Sequence, residues 1–85
     1  MDDTLREDTL AAIALVTAAN SDRSLASHLA TEYASEHPDG HSRIANGLIT
    51  LSEVLLAKIR LETDASVDQT LFWAADFVNN WEGDF

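Results

Sequence analysis

The sequence predicts an all-α domain: a small four-helix bundle-like fold with short connecting turns, in which residues Ser42–Glu62 form the central helix. Three observations lead there. Apolar residues recur at helical spacing in four segments, no segment alternates at period two over a useful length, and glycine (three) and proline (one) are scarce. The stretch SRIANGLITLSEVLLAKIRLE is the longest single helix in this reading. Ile44, Leu48, Leu51, Leu55 and Ile59 share a stripe at about 100° per residue, and Ala45, Ile49 and Leu56 widen it to roughly half the circumference. Val54 and Leu61 add a second stripe, which leaves Arg43, Asn46, Glu53 and Arg60 as a narrow polar strip. That is more apolar surface than a helix at the edge of a fold requires.

Composition bounds the rest. Eighty-five residues make one domain, 1–85, with a modest core. Hydrophobic residues at 46% and charged residues at 24% belong to a folded chain. The absence of cysteine removes disulfides, thiolate chemistry and Cys-ligated metals together. The acidic start MDDTLRED is unlike a signal peptide, and the longest apolar run, Leu10–Val16, is too short to span a bilayer. A cytoplasmic protein without membrane contact is expected. Fifteen acidic against five basic residues give a net charge of −10, which disfavours direct binding of nucleic acid or anionic lipid. Asp2, Asp3, Glu7, Asp8, Asp22 and Asp68 lie at or near expected helix N-termini, where they complement the macrodipole. The other acids are left for solubility or for a basic partner.

The first helix is expected from about Thr4 to Ala19, with Thr4-x-x-Glu7 as a capping box and Asp3 as a competing cap. Leu5, Ala12, Ile13 and Val16 share a face. Ala11, Ala14 and Ala18 lie opposite, a face that is either solvated or open to close approach by a second helix. Asn20-Ser21-Asp22 ends this helix and caps the next. The second helix, about Asp22 to Glu36, carries a narrow stripe of Leu25, Ala26, Leu29, Ala30 and Tyr33 and is placed outermost. His37-Pro38-Asp39-Gly40 stops it with strong turn chemistry. In the third helix Asn46-Gly47 would signal a turn if isolated, but apolar spacing resumes at Leu48, so the helix is kept continuous at a cost of about 1 kcal/mol. The reading given to Gly47 is that it lets a neighbouring helix come close. Ser66-x-x-Gln69 is a capping box opening the fourth helix, which is expected to reach about Trp81. The tail Glu82–Phe85 is expected to fray.

The chemistry-bearing residues form no known constellation. His28 and Glu32 stand at i, i+4, and His37 and His41 bracket Asp39, yet no zinc-type spacing such as H-E-x-x-H occurs. No serine sits in a nucleophile elbow, and there is no glycine-rich phosphate loop. Carboxylate pairs such as Glu32/Glu36 read as wet surface. A helix-turn-helix would need several basic or amide residues opening its recognition helix; helix 2 offers Arg23, and helix 3 offers Arg43 and Asn46. No enzyme activity, metal or cofactor is expected.

The aromatic end of the chain carries the best functional signal. Trp73, Phe77 and Trp81 are spaced i, i+4, i+8, with Val67, Leu71, Ala74 and Val78 beside them and Phe72 apart. Burying one large apolar side chain is worth roughly 1.5–3 kcal/mol, so such a stripe wants cover. The expectation is a non-enzymatic protein-interaction or regulatory module, a homodimer or a small subunit bound to another protein. Its interface residues are Trp73, Phe77, Trp81, Phe72, Val54 and Leu61. The alternative is an acidic inhibitor or nucleic-acid mimic, of the kind a phage or mobile element encodes, that fills a basic groove with Glu32, Glu36, Asp39, Glu53 and Asp64. A metal-dependent enzyme using His28 or His41 is the third reading.

Overall fold

The computed structural model describes residues 1–82, and among these are four α-helices and no strand: α1 (Asp3–Ser21), α2 (Arg23–Glu36), α3 (Gly40–Thr63) and α4 (Val67–Asn79). The all-α, bundle-like class expected from periodicity is the class observed. Of the tail expected to fray, residues 83–85 lie outside the described residues. The chain divides into two compact units, Met1–Glu53 and Val54–Phe85, with the division inside α3.

Local chemistry explains the boundaries. Asp2, not Thr4, caps α1, its Oδ1 accepting the Leu5 N–H at 2.8 Å. The expected Thr4-x-x-Glu7 box fails because an earlier acid reaches an orphan N–H first, and the helix then takes in Asp3 and Thr4 as its opening residues. Asp22 serves both flanking helices. Its backbone N–H donates to the Ala18 carbonyl at 2.7 Å, and its Oδ1 accepts from the N–H groups of Ser24 (2.9 Å) and Leu25 (3.4 Å). The Ser66–Gln69 box forms reciprocally: Gln69 N–H donates to Ser66 Oγ at 3.1 Å, and Ser66 N–H donates to Gln69 Oε1 at 2.8 Å. α4 ends at Asn79, so Trp81 lies just beyond it. α3 closes at Asp64, which takes a left-handed φ of 60° while its N–H returns to the Arg60 carbonyl at 3.0 Å. That is the single-bond αL stop, made here by an aspartate where glycine is commoner.

In the first unit the helices meet through small residues. α3 runs unbroken through Asn46-Gly47, and Gly47 is buried against α1. A Cβ there would overlap the Asp8 carbonyl oxygen and sit 2.7 Å from its carbon. Gly40 is likewise buried, and a Cβ on it would overlap Ala34 of α2. Close approach is the reason for the interior glycine, as its sequence context suggested. Ala12 and Leu51 are the buried apolar side chains, joined by Asp8 and Thr9.

Candidate functional site

α4 is built to be helical and is left uncovered. Its capping box fixes the start, and none of its residues is buried. Trp73 is 63% exposed and Phe77 48%. The expected stripe is real: Trp73 stacks on Phe77 with centroids 5.4 Å apart, and Phe77 meets Trp81 at 5.8 Å in a tilted pair. These separations lie in the range where aromatic pairs attract beyond their buried area. Beside the stripe, Ile59 and Thr63 of α3, Asp64 and Ala65 of the turn, and Gln69, Thr70 and Trp73 of α4 line an open groove of about 540 Å³.

The other proposed interface residues fall elsewhere. Phe72, 76% exposed, is about 100° around α4 from Trp73. Val54 and Leu61 are exposed and share one side of α3. At about 100° per residue they stand roughly 140–180° away from Ile59 and Thr63, which line the groove. The six residues thus divide into a stacked ridge next to a groove, one separate ring, and a patch on the far side of α3.

A polar cluster in the first unit went unseen in the sequence. Asp8, only 3% exposed, accepts at Oδ1 from the Tyr33 hydroxyl (2.6 Å) and from Arg43 Nε (2.8 Å), with Arg43 Nη2 also 2.8 Å away. It therefore joins α1, α2 and α3 at one atom. Its expected role, an acid easing the α1 macrodipole, is corrected: it is the buried half of an ion pair. Around it, Glu7 lies 3.5 Å from Arg43 and 3.7 Å from His37 Nε2. His37 Nδ1 is 2.9 Å from the Tyr33 carbonyl, which can only accept, so Nδ1 carries the hydrogen. Burial, then the hydrogen bond to Asp8 and its negative charge, push the Tyr33 hydroxyl up to about 12. Burial works against the Arg43 charge, but the bond to Asp8 and its opposite charge outweigh this and raise its pKa above the ordinary value. One signal could have found the cluster. Asp8 sits three residues after Leu5 and four before Ala12, inside the apolar face, where a carboxylate needs a partner.

The histidines are dispersed. His28 pairs with Glu32 at 3.8 Å on an exposed turn of α2, and His37 belongs to the Asp8 cluster. Among the described residues, no three His, Asp or Glu side chains converge as metal ligands. No described helix is long and apolar enough to cross a membrane. Compared with protein-family models, curated proteins and solved structures, the chain has no match.

Proposed function

We propose that this chain is a small, acidic, non-enzymatic interaction module that pairs with a second copy of itself through the α4 aromatics. The observation that carries the reading is that one unit bears both a protruding ridge, Trp73–Phe77–Trp81, and an apolar groove beside Trp73. An isologous contact needs those two halves on the same surface, each copy offering its ridge to the groove of the other. Aromatic side chains are also the type most often found at binding hot spots. Trp73 and Phe77 are 63% and 48% exposed, so covering them recovers part of the roughly 1.5–3 kcal/mol that full burial of each is worth, a contribution toward association. Val54 and Leu61 then form a secondary patch outside the central contact.

Light scattering after size exclusion, at several concentrations, tests this. A dimer is expected, with Phe77→Glu yielding a monomer of unchanged helix content by circular dichroism. A chain that stays monomeric throughout, or Trp73→Ala and Trp81→Ala variants that unfold where dissociation is expected, would return these aromatics to the protein's own core.

A further inference from the structure

The cleft between α1 and α2 carries two carboxylates that neither the helix packing nor the aromatic ridge requires. Ala11, Ala14 and Leu15 of α1 and Leu29 and Tyr33 of α2 give it an apolar lining, and its charged lining residues are both carboxylates, Glu32 and Glu36. Its volume is about 210 Å³, below the roughly 300–1,000 Å³ of small-molecule sites. That suits one long side chain better than a whole ligand. Small residues on α1 keep it open: the alanine face left ambiguous by the sequence forms its wall. Glu32 and Glu36 stand one helical turn apart on α2, so their carboxylates flank the same stretch of cleft. His28 approaches Glu32 at 3.8 Å, but both side chains are more than half exposed, and such contacts contribute little.

We propose that this cleft is a docking site for a Lys or Arg side chain presented by a basic segment of a partner protein. The occupant follows from complementarity. Lysine and arginine lay an aliphatic stem along apolar surface and keep a cationic head at the rim, and here the rim carries two carboxylates on a chain of net charge −10. A mimic of nucleic acid would need spaced carboxylates and no apolar lining, so the cleft turns the acidic-inhibitor idea into capture of a basic side chain. The site lies in the first unit and the aromatic ridge in the second, so either can fail without the other.

The experiment titrates the isotopically labelled full chain with a capped helical peptide of alanine, leucine and arginine, and with its citrulline counterpart. Expected are amide shifts at Ala11, Ala14, Leu29 and Tyr33, and loss of binding with citrulline. Glu32→Gln with Glu36→Gln should weaken affinity about tenfold. Ala14→Leu, which fills the cleft at constant charge, should do the same. Glu62→Gln with Glu82→Gln removes the same charge from the second unit and should leave affinity within about twofold. The proposal is overturned if the two double variants weaken binding equally, if citrulline is tolerated, if the shifts map to α4, or if the peptide does not bind.

Discussion

The two units solve the problem of a short helical chain in opposite ways. In the first, α1, α2 and the start of α3 meet mostly through residues that are small or polar: Gly40 against Ala34, Gly47 against Asp8 and Thr9, and a carboxylate tying three helices together, with Ala12 and Leu51 the buried apolar side chains. In the second, α4 carries Phe72, Trp73 and Phe77, half of the chain's six aromatic residues, and buries none of its residues. Side-chain size therefore does not mark the core here. Backbones that approach closely bury much with little side chain, whereas the large rings of α4, which has α3 beside it only across an open groove, stay wet. The contrast separates residues that hold the protein together from residues free to hold something else.

Removing the polar joint should have the largest effect. Asp8→Ala takes one partner from a buried ion pair and also strands the Tyr33 hydroxyl, so a loss of about 3 kcal/mol or more is expected in urea unfolding followed by circular dichroism. In the same assay Phe72→Ala on α4 should stay within about 0.5 kcal/mol, as exposed substitutions do. Equal losses would erase the distinction between the units. Gly47→Ala comes next and tests the joint by sign. Helix propensity alone predicts a gain of about 1 kcal/mol, while overlap with the Asp8 carbonyl predicts a net loss of about 1–3 kcal/mol, as overpacking usually gives. A more stable Gly47→Ala protein would mean that α1 and α3 do not touch there in solution.

The smallest effect is spectroscopic. Tyr33 is the chain's single tyrosine, so tyrosinate absorbance reports on it alone. Its pKa in the fold, about 12 against an ordinary 10.0, lies above that of the unfolded chain, so the fold favours the neutral phenol. That contribution to stability is complete below pH 10 and is lost as pH rises through about 12. Asp8→Asn should lower the midpoint only part of the way toward 10, because the negative charge beside the hydroxyl is gone while the burial that leads the shift remains. A midpoint of 10 in the unaltered protein would show Tyr33 to be neither buried nor bonded to Asp8.

Much of the architecture was legible because it rests on local chemistry. The Ser66–Gln69 box, the Pro38 stop and the continuity of α3 through Gly47 follow from neighbours within a turn or two. The Asp2 cap was misplaced by two residues because MDDT offers three candidate caps in a row, and propensity ranks Asp and Thr too closely to choose. Asp8's place in the apolar face of α1 was a local hint, but its partners were beyond local reading: Tyr33 and Arg43 come from two other helices, and Asp8 also fitted the simpler description of an acid in an early turn. The aromatic ridge was legible as a stripe. Its separation from Val54 and Leu61 followed only once Ile59 and Thr63 were seen to line the groove.

The buried carboxylate also bears on the order of assembly. Asp8 and Arg43 are 35 residues apart in sequence, and closing so long a loop costs chain entropy before any contact repays it. The α3–α4 groove is framed across a turn of three residues, Asp64–Ser66, and asks for almost none. When the full-length chain refolds, the aromatic ridge can therefore take shape early, while the first unit waits on the slower encounter that brings α1 to α3. The face proposed for pairing would be presented before the joint that stabilises the chain has closed.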